Sequence, residues 1–286
     1  MNAALQNDRV EHWSGAGGNR LVVESFAARN ALSVLLLHGG GQTRHTWRRA
    51  ARKLQQDGTP CLTFDMRGHG ESDWMDDGDY RLDAFLADAR AVLERWQQPT
   101  VIVGASLGGL VGLMAAGEQL PMIRGLVMVD TAPQLNPAEI ARFLEFFGGG
   151  SGAGFESPAA AAAHVEMFFP TLAVSAASIE KGLRQLADGR WHWRWDVRVV
   201  LGELNSVALP HEEQLHRYAS QIRVPLLLVR AGQSALVTDA AITRLRGCAP
   251  QLEVADLPGA HHLFSGDESL LIIDLLEDFL RRAAAA

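Results

Sequence analysis

Short, mostly apolar runs recur along the chain, and between them lie segments whose apolar residues return every three or four positions. The runs are "RLVVESF" (20–26), "LSVLLLHG" (32–39), "PCLTFDMRG" (60–68), "TVIVGAS" (100–106), "IRGLVMVD" (123–130), "VPLLLVRAG" (224–232) and "QLEVADLPG" (251–259). Each has the length of a strand, and a strand apolar on both faces must be covered on both faces. The periodic segments are "TRHTWRRAARKLQQDG" (43–58), "RLDAFLADARAVLERWQQ" (81–98), "LGGLVGLMAAGEQ" (107–119), "DAAITRLRGCA" (239–249) and a last helix near 267–282. Leu82, Phe85, Leu86, Ala89, Leu93 and Trp96 form the apolar stripe of the second. Gly58 supplies a natural left-handed stop for the first. Strand–helix alternation of this kind predicts an α/β domain with a parallel sheet between two helical layers.

The rhythm breaks between 133 and 220. That stretch holds the helical piece "PAEIARFLEFF", the glycine-rich "GGGSGAG" (148–154), an alanine tract (159–163) and "WHWRWDVR" (191–198). Nothing in it reads as a central strand. The expectation is a helical insertion, residues 133–220, forming a cap over the carboxyl edge of a core built from 1–132 and 221–286. The glycine-rich stretch reads as a flexible connector and the alanine tract as plain helix. Trp191, Trp193 and Trp195 fall on one side of an extended chain. They are placed to line a pocket under the cap or to fix cap to core.

Composition narrows the function classes. The chain has 286 residues with 48% hydrophobic and 21% charged, an ordinary globular balance. Its net charge of −7 and the lack of basic runs argue against nucleic acid as a partner. Two cysteines, Cys61 and Cys248, make neither a disulfide framework nor a metal spacing. No apolar stretch approaches the roughly 18–20 residues of a membrane span, and "MNAALQNDRVEHW" does not read as a secretory leader. The expected setting is cytoplasmic, as a monomer or homodimer acting on a small molecule. "DMRGHGESD" combines acids with a histidine, but no H-E-x-x-H or close ligand set accompanies it, so no metal is expected. Neither G-x-G-x-x-G nor a phosphate-binding loop motif occurs, and no cofactor is expected.

The candidate chemistry centres on "VIVGASLGGLVGLMAA" (101–116), where Gly104-Ala-Ser106-Leu-Gly108 joins a strand to a helix. G-x-S-x-G in that context makes a tight turn that projects the serine hydroxyl, with the helix N-terminus behind it as a source of free N–H groups. The competing use of such a serine is as a helix N-cap. A serine hydroxyl needs a base to attack a carbonyl. Of ten histidines, His261 and His262 alone lie in the turn after the last strand, on the carboxyl edge. His38 and His69 sit beside glycine turns and read as structural hydrogen-bonding groups, while His45 and Trp47 are candidate pocket residues.

Four segments in order, "LLLHGGGQTRHTW" (35–47), "FDMRGHGESD" (64–73), "GASLGG" (104–109) and "LPGAHHLF" (257–264), resemble those of the α/β-hydrolase family. The resemblance covers nearly the whole chain and is closest to capped, single-chain bacterial hydrolases. It implies a mostly parallel eight-stranded sheet, helices on both faces, and a helical cap inserted after strand six. It makes Ser106 the nucleophile and, with His261 at the glycine position of the family's Gly-His pair, His262 the base. It assigns the oxyanion hole to the amides of Leu107 and Gly40, with Gly41 the alternative. The sequence departs from the family at the acid. Where an aspartate is expected after "PLLLVRAG", Ser234 and Ala235 stand instead. Asp130 lies 24 residues beyond Ser106, the length of one helix plus one strand, and some relatives carry their acid there. Asp239 is the other candidate, although it also reads as a helix N-cap. A dyad without an acid is the third possibility. The implied activity is hydrolysis of a small to medium carboxylic ester or lactone. The serine counts against the aspartate-dependent dehalogenase and epoxide hydrolase branches. A C–C bond hydrolase, a perhydrolase and a ligand-binding relative with little turnover are the alternatives.

Overall fold

A computed structural model of the chain describes residues 8–151, 153–169, 175–199, 210–262 and 268–285. The first seven residues, read above for a leader, and Leu263-Phe264 at the end of the histidine loop lie outside them, as do parts of the 133–220 insertion.

Eight strands form one sheet in the order β1-β2-β4-β3-β5-β6-β9-β10. They are β1 (Arg9–Ser14), β2 (Arg20–Phe26), β3 (Ser33–Leu37), β4 (Cys61–Phe64), β5 (Thr100–Ala105), β6 (Ile123–Val129), β9 (Leu226–Ala231) and β10 (Leu252–Leu257). Only β1–β2 and β2–β4 pair antiparallel; the remaining neighbours are parallel. Strand β1 had no counterpart in the sequence reading. Four of its first five positions are exposed and only Trp13 is buried, so an edge strand of this kind carries no apolar run.

Alternate residues of the central strands feed two separate cores. Leu35, Leu37, Ile102, Leu126, Met128 and Leu228 face one helical layer. This layer comprises α2 (Leu82–Trp96), α3 (Leu107–Gly117), α7 (Pro210–Gln221) and α8 (Asp239–Cys248). Val34, Leu36, Val101, Val103, Val127 and Val229 face the other, made of α1 (Arg48–Gln56) and α9 (Ile273–Ala285). Strands apolar at every position are thus explained by a sheet dry on both sides.

Between β6 and β9 the chain forms α4 (Pro137–Ser151), α5 (Pro158–Phe168), the short α6 (Ala176–Ile179) and a hairpin of β7 (Leu183–Gln185) with β8 (Trp191–Trp193). The alanine tract lies in α5, whose start is fixed by Ser157 accepting the Ala160 N–H at 3.1 Å and by Pro158. Two expectations need correction. Helix α4 runs on to Ser151, so the first part of the glycine-rich stretch is helical rather than a connector. Helix α7 crosses the expected boundary at 220 and belongs to the core layer. It lies so close to α3 that a methyl group on Gly117 would stand 2.7 Å from the Tyr218 carbonyl oxygen.

The order of strands also places the chemistry. From β3 the chain moves to β4 on one side, then returns to β5 on the other. The carboxyl ends of β3 and β5 therefore flank the point where the winding reverses, the usual ligand crevice of an open α/β sheet.

Candidate active site

Ser106 links β5 to α3 with φ 48° and ψ −117°, a backbone conformation that a side chain rarely adopts. Its surroundings enforce it. A methyl group on Gly104 would come within 2.2 Å of the Gly108 carbonyl oxygen, and one on Gly108 within 2.5 Å of Leu37 O. The turn is therefore pressed against itself and against the end of β3. The Ser106 side chain accepts no capping hydrogen bond from α3, so it does not act as the N-cap there.

Registered pairing of Ala105 with Val129 puts Ser106 and Asp130 next to each other at the ends of β5 and β6. Asp130 is 1% exposed and also has a positive φ, 48°. Its N–H donates to Val229 O (2.8 Å), and its Oδ1 accepts the Ala231 N–H (3.2 Å). Its Oδ2 lies 2.8 Å from His262 Nδ1. A carboxylate can only accept, so Nδ1 carries the proton and Nε2 is the basic nitrogen of the neutral ring. His261 lies beside it, partly buried. Asp239 is elsewhere: its side chain is 90% exposed and bound to Arg230 at 2.5 Å. Nor is it the N-cap. Thr238 has that role, accepting the Ala241 N–H at 3.1 Å.

The loop after β3 reads His38-Gly39-Gly40-Gly41. The Gly39 N–H donates to Gln42 Oε1 (2.9 Å), and the Gly41 N–H donates to His69 Nε2 (3.1 Å). Among the described residues, Gly40 is the glycine of the three whose N–H has no such acceptor. It is partly exposed, and a methyl group there would meet nothing within 4 Å. Leu107, also partly exposed, is the first residue of α3, where backbone N–H groups lack intrahelical acceptors.

Two buried histidines brace this loop. His69 donates Nδ1–H to Arg67 O (2.9 Å) and accepts from Gly41. His38 donates Nδ1–H to Gly39 O (2.8 Å) and accepts the Met66 N–H at Nε2 (3.0 Å). Each nitrogen that accepts from a backbone N–H must be unprotonated. Burial agrees, depressing His38 to about 4 and His69, with His38 beside it, to about 3. The acidic residues of "DMRGHGESD" serve the turn: Asp65 accepts the Arg44 and Glu71 N–H groups at 2.7 and 3.0 Å and pairs with the Arg44 guanidinium. Among the described residues no group of three or more His, Cys, Asp or Glu could hold a metal ion.

Trp47, expected as a pocket wall, is instead fully buried in the core beneath α1, donating Nε1–H to Leu37 O at 2.9 Å. The four-residue 3₁₀ turn Arg44–Trp47 rotates it inward and leaves His45 exposed. Trp191 and Trp193 are half-buried against Phe155, and Trp193 stacks on Trp195. Residues 194–196 are tied to the 64–73 loop and to Tyr80. Gly70 N–H donates to Arg194 O (2.6 Å), Asp196 N–H to Gly68 O (2.7 Å) and Tyr80 Oη–H to Asp196 Oδ2 (2.7 Å). Backbone and side-chain hydrogen bonds at Arg194 and Asp196 thus tie the end of the tryptophan run to the core.

Two site neighbours were not singled out from the sequence. The Phe143 ring lies 4.7 Å from that of His262, and a methyl group on Gly41 would stand 2.9 Å from Phe147 Cε1. Their signal was the four-residue spacing within "EIARFLEFF".

Residues 33–268 match the family described as the alpha/beta hydrolase fold. Esterase Rv0045c of Mycobacterium tuberculosis is 29% identical over 269 residues, covering 88% of this chain and 83% of that one. A crystal structure of that esterase superposes with TM-score 0.70 at 26% identity, covering 96% and 92% of the two chains. The crystal structure of E-2-(acetamidomethylene)succinate hydrolase superposes with TM-score 0.81 at 21% identity, covering 96% and 100%. No helix among the described residues is long and apolar enough to cross a membrane. With the sheet order, the strained serine turn and these matches together, the chain belongs to the α/β-hydrolase fold family and is a hydrolase.

Proposed function

We propose that the protein is a serine hydrolase acting on small to medium carboxylic esters or lactones through an acyl-enzyme on Ser106. The observation that carries this reading is the 2.8 Å contact of His262 Nδ1 with the buried Asp130 carboxylate, on the strand next to the serine turn. Ser106 Oγ attacks the carbonyl carbon while His262 Nε2 takes its proton. The carbonyl oxygen becomes an oxyanion, held by the N–H groups of Gly40 and Leu107. Asp130 keeps the imidazole in the productive tautomer and stabilises its protonated form. Collapse of the intermediate expels the alcohol, which receives the proton from His262. Water, deprotonated by the same histidine, then attacks the acyl-enzyme and releases the carboxylic acid. For a lactone, alcohol and acid leave as one hydroxy acid.

Helices α4 to α6 and the β7–β8 hairpin form the cap in this reading. The contacts of Phe143 with His262 and of Phe147 with Gly41, and the fastening of 194–196 to the core, support that role. The ligand-binding alternative drew on the missing acid in 232–239, a reason that weakens with Asp130 beside His262.

Reaction with a fluorophosphonate probe tests the proposal. A single adduct mapped to Ser106, absent in Ser106→Ala together with turnover of 4-nitrophenyl esters, is the expected result. Well-folded protein that forms no adduct would refute it.

A further inference from the structure

Helix α4 presents Phe143 and Phe147, four residues apart, on one face, their rings stacked 6.2 Å apart. One end of this pair touches the base and the other touches the oxyanion loop. Trp195 extends the surface, meeting Phe147 edge-on at 5.1 Å, and Phe169 backs Phe143 at 5.4 Å. Phe143, Phe147 and Trp195 are each no more than 7% exposed. The neighbouring cation, Arg142, is committed elsewhere, with its guanidinium over the Phe169 ring and donating to Phe168 O. Arg44, below the loop, is taken by Asp65 and Glu71.

We infer that Phe147, backed by Phe143 in an aromatic wall, determines specificity, selecting esters whose acyl chain is apolar and uncharged and rejecting those whose acyl chain ends in a carboxylate. This rests on the serine-hydrolase reading above. The leaving oxygen must lie within reach of His262, so Phe143 meets the leaving group. The carbonyl oxygen is held at the oxyanion loop and the acyl chain is the remaining substituent of the same carbon, which in this inference runs past Phe147 where that ring packs on Gly41. An ionised group entering that surface loses its hydration and gains no counter-charge there.

The test compares 4-nitrophenyl hexanoate with mono-4-nitrophenyl adipate, which differ by the terminal carboxylate. The wild-type protein should favour hexanoate by about tenfold or more in kcat/KM. Phe147→Ala should open the wall to water and cut that preference by about threefold or more. Phe147→Leu, which keeps an apolar surface, should retain the preference, and it serves as the folded comparison if the alanine variant melts early. A residue that merely packs the insertion would change both esters alike. Equal turnover of the two esters by the wild-type protein, or an unchanged ratio in folded Phe147→Ala, overturns the inference. Fluorophosphonate labelling of the same samples separates the failures. Labelled Ser106 with equal ester rates sinks this inference alone; no label and no turnover sinks the serine reading, and this inference with it.

Discussion

Replacing Asp130 with asparagine isolates the electrostatic part of the site. Asparagine keeps the volume and tolerates the positive φ of 48° at this position better than other uncharged residues with a side chain. It cannot keep both hydrogen bonds, because only one of its two terminal atoms accepts. If that oxygen stays with the Ala231 N–H, the amide nitrogen faces His262 Nδ1, which must then accept and move its proton to Nε2. The ring is then the tautomer that cannot take the Ser106 proton. If the amide flips instead, two buried donors face each other at Ala231. Loss of a charge-assisted hydrogen bond accounts for about 1.5–3 kcal/mol, roughly 10–100-fold in rate. The wrong tautomer and the unbalanced imidazolium bring the total to about 10⁴-fold, or about 5.4 kcal/mol of barrier. The assay is kcat for a 4-nitrophenyl ester at neutral pH, read beside a thermal melt. A folded Asp130→Asn protein within about tenfold of wild-type kcat would refute the reasoning.

Asp239→Asn is the matching control. Its carboxylate is exposed and paired only with Arg230, so kcat should stay within about twofold and stability within about 0.5 kcal/mol, read by the same two assays. Acid should destabilise the fold through His38 and His69. Their folded-state values, about 4 and about 3, lie below the ordinary 6.5, so their contribution is complete above 6.5 and is lost as pH falls toward those values. The limiting slope for two protons is about 2.7 kcal/mol per pH unit. His69→Gln, which retains an acceptor for the Gly41 N–H, should shed about half of it in urea titrations at about pH 7 and about pH 5; an unchanged slope would count against the buried neutral histidine. Gly104→Ala should fail to yield folded protein, since its Cβ meets backbone at 2.2 Å, whereas Gly40→Ala, with nothing within 4 Å, should melt with the wild type.

What the sequence revealed follows the physics of each element. The central strands announced themselves because both faces are dry, and the serine turn because its glycines are dictated by backbone contacts at 2.2–2.5 Å. Strand β1 stayed hidden because pairing with β2, not burial, holds it. Trp47 lies in the core rather than at the pocket because closeness in sequence to the glycine loop after β3 does not decide to which side of the sheet a 3₁₀ turn sends a side chain. The wall of α4 depends on how the insertion folds back over the core. The sequence shows an aromatic helix but not the surface it meets.

The acid shows how geometry relaxes a sequence rule. The base needs a carboxylate at Nδ1; it does not specify the strand that supplies it. Strands β6 and β9 are neighbours, with Val129 in register with Val229, so their ends open toward the same loop after β10. Here β9 holds the proposed acid instead of carrying it: Val229 O and Ala231 N–H bind Asp130 from the side. Where the family resemblance leads one to expect an aspartate after β9, the chain makes a turn, with Ser234 Oγ accepting the Leu236 N–H at 3.2 Å. The gap in "GQSALV" is thus matched by Asp130 at the end of "GLVMVD", 2.8 Å from His262 Nδ1.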